Sequence, residues 1–283
     1  MKKVLITGKN SYIGNALENW LAKEPENYQV ESIDMKDGSW KERDFSSYDV
    51  VFHVAGIAHI KETIDNQDLY YKINRDLAYE TAKKAKKDGV RQFIFLSSMS
   101  VYGIETGVIN KLTPIKPNTA YGKSKIEAEK LINQLDDYSF TVAILRPPMV
   151  YGSGCKGNYP RLARLARKTP FFPKIDNQRS MIYIDNLSEF VKQLIDNKDQ
   201  GLFFPQNSEY VNTSEMVRLI AEFHGKRILM TKIFNPFLNF KVTKFAVFNK
   251  IFGDLVYDMS MSEIETKYRV FSFEETINRT ETR

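Results

Sequence analysis

The sequence predicts an α/β chain built on a doubly wound parallel sheet, with a smaller C-terminal lobe. Three observations carry that expectation. Short apolar runs alternate with helical stretches, as parallel sheets require. The first run ends in a glycine-bearing turn that opens a helix, and the patterning loosens after Pro147-Pro148. At 283 residues and 42% hydrophobic content, the chain can bury a large core and is long for one compact unit.

Lys3–Thr7 reads as a short buried strand, and the turn Gly8–Gly14 follows it at once. Asn15–Ala22 is helical, with Leu17 and Leu21 four apart on one face. Tyr28–Ile33 is the next strand and ends at Asp34; Asp49–Val54 is a further strand and ends at Ala55-Gly56. Asn66–Lys87 reads as one long helix containing Asn74, and Gln92–Ser97 as a strand. Residues 104–118 form a loop, Thr119–Leu135 a helix and Thr141–Leu145 a strand. Beyond Pro148 come short helices and loops at 158–167 and 169–176, then a helix over Asn186–Asp196 expected to pack back on the first domain. No internal repeat or low-complexity tract interrupts this order.

A strand that ends in glycine and turns into a helix exposes backbone N–H groups at the positive end of a helix dipole, which suits a phosphate. Gly8 permits the tight turn and Gly14 lets helix and strand approach closely, while Ser11 stands where the usual fingerprint has a middle glycine. Asp34 lies twenty residues beyond Gly14, where a Rossmann-type dinucleotide fold places the acid that binds the adenosine ribose. A carboxylate there repels a 2′-phosphate and so favours NAD over NADP, a preference that Lys36 nearby weakens. Tyr121 and Lys125 project from one helical face. A cation at ~4 Å and an effective dielectric of ~20 contributes about 4 kcal/mol, enough to lower a phenol by roughly three pKa units before desolvation opposes it.

In this order, the glycine turn, the acid at the second strand, the serine strand and Tyr121-x-x-x-Lys125 resemble the extended short-chain dehydrogenase/reductase family. The chain is similar in particular to the NAD-dependent epimerase/dehydratase branch, whose members act on nucleotide sugars. Ser97-Ser98-Met99-Ser100-Val101-Tyr102-Gly103, Leu145–Gly152 and Arg179–Asn186 resemble three further segments of that branch, so the likeness runs over nearly the whole chain. It implies a dinucleotide-binding Rossmann domain over 1–148, with 181–198 packing back on it, and a mainly substrate-binding lobe over 149–283. It implies Ser98, Tyr121 and Lys125 as catalytic residues. For the cofactor it implies Gly8, Ser11, Tyr12, Ile13, Gly14, Asp34, Asp44, Ala55 and Gly56, together with Tyr121 and Lys125. For the substrate it implies Ser98, Asn158, Arg179 and Tyr183, with Lys156 a weaker candidate and Arg179 on the pyrophosphate. Asn74 is a supporting residue in this scheme. Met149 departs from the asparagine that many relatives carry three residues after the arginine of Leu145-Arg146.

Relatives that dehydrate their sugar use adjacent Asp and Glu directly after the catalytic residue; here those places hold Met99 and Ser100, which cannot do that work. The resemblance therefore implies 4-epimerisation of a UDP-hexose. Its alternative is NAD(P)H-dependent reduction of a UDP-4-keto-6-deoxy-hexose in surface-polysaccharide synthesis, and a remoter one is a non-catalytic dinucleotide-binding sensor or scaffold. The resemblance also allows a homodimer.

The net charge is +6, and the densest basic cluster is Lys83-Lys84-Ala85-Lys86-Lys87, at the end of a helix that Gly89 closes. Cations there complement the helix dipole, and no nucleic-acid module accompanies them, so no nucleic-acid partner is expected. His53 reads as a core histidine, and His59, just past Ala55-Gly56, is not assigned to the site; no His, Cys or Asp cluster has metal-ligand spacing. The single cysteine, Cys155, reads as a loop residue, excludes an internal disulfide and suits a reducing compartment. The apolar run behind Met1-Lys2-Lys3 is too short for a signal peptide and no stretch has the length of a membrane span, so the expected location is cytoplasmic. The basic, Phe-rich stretch 234–252 reads as amphipathic: a cover for the sugar site, or a membrane-surface element.

Overall fold

The computed structural model describes all residues except 59, 61, 234–245, 264–266 and 283, and the backbone alone at 246–248. In chain order its strands begin with β1 (Lys2–Thr7), β2 (Tyr28–Ile33), β3 (Val50–His53), β4 (Gln92–Leu96), β5 (Gly107–Ile109) and β6 (Thr141–Leu145). They continue with β7 (Met149–Tyr151), β8 (Phe171–Pro173), β9 (Met181–Tyr183), β10 (Gly201–Phe203), β11 (Leu229–Thr231) and β12 (Leu255–Tyr257). The helices used below are α1 (Tyr12–Leu21), α2 (Gln67–Tyr70), α3 (Ala78–Lys87), α4 (Ala120–Asn133), α5 (Tyr159–Lys168), α6 (Ile184–Asn197) and α7 (Thr213–Phe223).

The chain divides into two compact units. The first comprises Met1–Gly103, Pro114–Pro147 and Leu187–Pro205; the second comprises Ile104–Thr113, Pro148–Asn186 and Gln206–Arg283. Thus the returning segment begins at Leu187 rather than 181 and runs on through β10 to Pro205, and Ile104–Thr113 departs to the second unit.

The first unit is a six-stranded sheet in the order β10-β6-β4-β3-β1-β2, and each strand pair is parallel. Chain direction across the sheet reverses between β1 and β3, the switch point at which such folds bind ligands outside the carboxyl ends of the strands. Val4, Leu5, Ile6, Val51, Phe52, Phe93, Ile94 and Phe95 are fully buried, as expected of strands covered on both faces. On one face the small residues Ala78, Ala82, Ala85 and Ala128 let α3 and α4 sit close over Leu5, Val51 and Phe93. On α1, Trp20 Nε1 donates to Glu189 of α6 at 2.8 Å.

The predicted long helix is broken. A 3-10 turn at Ile64–Asn66 and α2 lead into a π-helical stretch, Tyr71–Leu77, before α3. In the second unit β8 occupies part of 169–176, so that stretch is not helical, and β5 lies within the segment read as loop. Here three two-stranded parallel ladders, β5–β12, β7–β9 and β8–β11, carry the backbone pairing, with α5 and α7 packed together. Their short strands and scattered pairing explain why the apolar periodicity fades after Pro148. Of the stretch 234–252, residues 234–245 lie outside the described residues, as does His59; Ala246–Phe252 is helical.

Candidate active site

The turn after β1 passes through Gly8 and Asn10 with φ of 109° and 66°. Glycine takes that conformation freely, and asparagine is among the few side chains that tolerate it. A Cβ on Gly8 would stand 2.9 Å from the Ala55 nitrogen, so the glycine also lets the turn lie against the end of β3. Ser11 is more than a small residue in a glycine's place: it N-caps α1, its Oγ accepting from Gly14 N at 3.2 Å. A Cβ on Gly14 would meet Ile6 Cγ2 at 3.1 Å and Val54 Cγ2 at 3.2 Å, which fixes the close approach of helix and sheet. Tyr12 and Ile13 form the first turn of α1, where backbone amides can face an anion.

Asp34 is exposed just past β2, its Oδ1 accepting from Lys36 N at 3.0 Å. Lys36 Nζ stands 3.9 Å from Oδ2, a solvated pair of little energetic weight. Asp44 accepts from the Ser46 amide and hydroxyl at 2.8 Å each; these bonds hold its carboxyl below the usual range and engage both oxygens within its own turn. Beyond β3, Ala55 is buried, and a Cβ on Gly56 would lie 2.9 Å from Asn74 Oδ1 and 3.5 Å from Lys125 Nζ.

Ser98 ends the serine strand and caps the 3-10 turn Met99–Tyr102, its Oγ accepting from Ser100 N at 3.1 Å. Ser97 points the other way: it is buried, and its hydroxyl donates to Glu129. That leaves Ser98 as the serine that acts on the Tyr121 phenol, opposing the rise in its pKa. α4 carries the tyrosine on its first turn. Thr119 Oγ1 accepts from Gly122 N at 3.1 Å, and both Glu62 oxygens accept from Ala120 N at 3.1 and 3.0 Å. A side chain at Gly122 would come within 2.6 Å of Ser100 O, so this glycine lets α4 press onto the serine turn. Tyr70 meets Tyr121 edge-on, with ring centroids 6.4 Å apart.

Lys125 is 5% exposed; its Nζ donates to Leu96 O at 2.7 Å and lies 4.7 Å from the Phe95 ring centroid. Burial pushes it down to about 8, with Glu129 opposing. The electrostatics therefore differ from the expectation of a phenol made acidic by lysine. Burial is the largest influence on Tyr121 and pushes its phenol up; the Ser98 hydrogen bond works against that rise, and Tyr70 adds to it. Lys125 is not among the influences on the phenol; its ammonium is directed to the Leu96 carbonyl at 2.7 Å.

Asn74 sits in the π-helical stretch. It accepts from Ile57 N at 2.9 Å and donates to Ile57 O at 3.1 Å and Ser124 Oγ at 3.3 Å. It thereby ties the loop after β3 to the tyrosine helix, a supporting role that a π-bulge at a functional site often serves. Glu62, Gly122 and Ser124 belong to the same scaffold and went unread in the sequence, because capping across 58 residues leaves no local signature. His53 is buried between Phe93 and Phe95; its Nδ1 shares a 2.8 Å hydrogen bond with Thr7 Oγ1. Burial, and then the charge of Lys125, push it down to about 3, so it stays neutral.

In the second unit, Arg179 donates through Nη1 to Gly253 O at 2.8 Å and Asn249 O at 3.1 Å. Its buried Nε has no partner among the described residues, and burial lowers its pKa. Asn158 Nδ2 donates to Lys250 O at 3.2 Å, and Lys156 is exposed. Tyr183 is 1% exposed, packed with Tyr151 and Phe271, and its hydroxyl donates to Asp185 at 3.3 Å. That burial makes it a core residue of its unit and removes it from the substrate contacts expected of it. Cys155 is buried, and burial raises its thiol, so it is not a reactive loop thiolate. Among the described residues no group of three His, Cys, Asp or Glu could hold a metal, and no helix is long and apolar enough to cross a membrane.

Residues 4–204 match the model of the NAD-dependent epimerase/dehydratase family. The chain belongs to that family. It is 34% identical over 250 residues to a UDP-glucose 4-epimerase of Vibrio cholerae, covering 78% of this chain and 75% of that protein. It is 27% identical over 202 residues to N-acetyl-alpha-D-glucosaminyl-diphospho-ditrans,octacis-undecaprenol 4-epimerase of Escherichia coli O157:H7, covering 69% and 60%. In fold it is similar to a dTDP-4-dehydrorhamnose reductase of Clostridium acetobutylicum, with TM-score 0.75, 20% identity and coverage of 99% and 98%. A UDP-glucuronic acid 4-epimerase of Bacillus cereus in complex with NAD gives TM-score 0.74 at 19% identity, covering 98% and 96%. The chain is thus an enzyme of a family that uses NAD. The β1 turn fits that cofactor: the close contact of Gly8 with Ala55 and the bare Gly56 beside Lys125 keep the strand ends clear of side chains.

Proposed function

We propose that the protein is an NAD-dependent nucleotide-sugar epimerase that inverts C4 of a UDP-hexose. The observation that carries this reading is the placement of Tyr121 and Lys125 on successive turns of α4, where Gly122 lets the helix press onto the Ser98–Ser100 turn and Lys125 stands beside Gly56. The two relatives named above that are epimerases support it. The first turn of α1 would bind the pyrophosphate of NAD, Asp34 its adenosine ribose and Lys125 its nicotinamide ribose. Bound NAD supplies the acceptor and donor of the C4 hydride. Tyr121 removes the proton of the C4 hydroxyl and returns it after the keto sugar has turned over. Ser98 holds the reacting oxygen through a hydrogen bond.

Arg179 would take the substrate's diphosphate: its Nε has no partner among the described residues, and an anion would relieve the cost of its burial. Met99 and Ser100 provide no acid–base pair for dehydration.

One observation favours a second reading. A phenol pushed up by burial is a proton donor at neutral pH, and that is what reduction of a 4-keto sugar requires. Two assays separate the readings. An epimerase interconverts UDP-glucose and UDP-galactose with catalytic NAD; a reductase consumes NADH stoichiometrically, only with a 4-keto substrate.

A further inference from the structure

Charge is distributed unevenly along this chain. No Asp or Glu occurs between 138 and 175, or between 223 and 253. Within the second unit the fold brings residues 167–173 of the first stretch beside residues 226–231 of the second. β8 pairs in parallel with β11, Leu229 N donates to Pro170 O at 2.9 Å, and Lys226 Nζ donates to Arg167 O.

α5 buries Tyr159, Leu162, Ala163 and Ala166 against the unit and turns Arg161, Arg164, Leu165 and Lys168 outward, a stripe at helical spacing. At its end the chain enters β8, where Phe171 is register partner to Leu229. Paired residues point to the same face of a ladder, and these two side chains are 53% and 60% exposed. Ile233, just past β11, is 82% exposed and Leu165 40%. The same elements carry exposed cations: Arg161, Arg164 and Lys168 on α5, and Lys226, Arg227 and Lys232 flanking β11. Of the acids near this region among the described residues, Glu281 is engaged with His224 at 2.8 Å and Arg167 at 3.8 Å, and Glu222 with Arg218 at 2.5 Å.

We propose that this face, formed by α5 and the β8–β11 ladder, docks on an anionic phospholipid surface. Large apolar side chains accompanied by cations match a bilayer interface: the apolar groups enter the acyl boundary and the cations meet lipid phosphates. A nucleic acid would satisfy the cations but leave Leu165, Leu229 and Ile233 in contact with charged backbone. A second copy of this chain would set like charges against each other across an isologous interface. The inference is independent of the epimerase reading, because none of these residues belongs to the catalytic or substrate machinery.

Sedimentation of the full chain with vesicles tests it. The protein should bind phosphatidylcholine vesicles containing about a third phosphatidylglycerol, fail to bind phosphatidylcholine alone, and dissociate as salt rises. Reversing three charges (Arg161→Glu, Arg164→Glu, Lys168→Glu) should weaken binding by at least about a hundredfold, at roughly fivefold per charge. Phe171→Ser with Leu229→Ser should weaken it roughly tenfold at unchanged charge. Neutral Gln replacements at the same three cations guard against misfolding, and retained NAD binding reports an intact first unit. Three results would each overturn the proposal: no binding to anionic vesicles, binding insensitive to both variant sets, or self-association abolished by these variants with no affinity for lipid.

Discussion

At the residue scale, the proposed chemistry rests on how a half-buried phenol and a buried ammonium sit on successive turns of α4. Tyr121→Phe removes the proton-transferring oxygen while keeping the ring that packs against Tyr70, so kcat should fall by about 10²–10⁴ with NAD affinity unchanged. Stopped-flow or steady-state kinetics beside a cofactor titration measure both. Lys125 gives a stability prediction with a definite sign. Its pKa is pushed down to about 8 in the folded chain against 10.5 for an ordinary lysine. The unfolded chain therefore binds more protons between these values, and stability rises with pH through that window. Below it the folded protein bears the full cost of burying the charge, of order 3 kcal/mol. Lys125→Met should accordingly abolish turnover yet raise the melting temperature at pH 7, and its advantage should shrink toward pH 10. A melting temperature that falls at pH 7 would show that the Leu96 contact outweighs the desolvation.

At the scale of elements, α4 is pinned by a buried network. Arg146 of the β6 edge donates to Glu129 through Nη2 at 2.6 Å and to Tyr102 through Nη1 at 2.9 Å, while Ser97 donates to the same carboxylate. Both charged side chains are about 5% exposed or less, so Glu129→Ala would strand the guanidinium and cost about 3–5 kcal/mol in denaturant melts. Gly14→Ala should also destabilise, by about 1–3 kcal/mol, because its Cβ would crowd Ser11 Oγ at 2.5 Å along with Ile6 and Val54. Strands β1 and β6 were legible in the sequence almost to the residue, because buried parallel strands are unbroken apolar runs, whereas β2, a partly exposed edge strand, was legible from its place between the first helix and Asp34. The tyrosine helix was legible for a related reason: Thr119 caps it and the Tyr121–Lys125 spacing marks its face. The π-helical stretch around Asn74 was not, because its geometry comes from bonds to Ile57 and Ser124, distant in sequence. The second unit's ladders of three residues each are too short to display a period. Asn158 and Arg179 were named by likeness alone, and the burial of Tyr183 could be learned only from packing.

At the scale of the whole molecule, the groups proposed to hold NAD fall on the first unit and Arg179, proposed for the substrate's diphosphate, on the second, so the two contacts should be separable. NAD at about a hundred times its dissociation constant should stabilise the chain by about 2.7 kcal/mol, and Arg179→Ala should leave that shift intact while weakening UDP binding. Differential scanning fluorimetry with each ligand reads both effects. Loss of the NAD shift in Arg179→Ala would contradict this division of labour. The claim beneath all of this is that Ser98, Tyr121 and Lys125 reversibly oxidise a sugar alcohol with enzyme-held NAD. Proton NMR of UDP-glucose incubated with the purified enzyme and a trace of NAD tests it most directly. The account predicts UDP-galactose accumulating to a constant ratio, with no net NADH and no turnover in Tyr121→Phe. Unchanged UDP-glucose, or equal turnover in Tyr121→Phe, would contradict it.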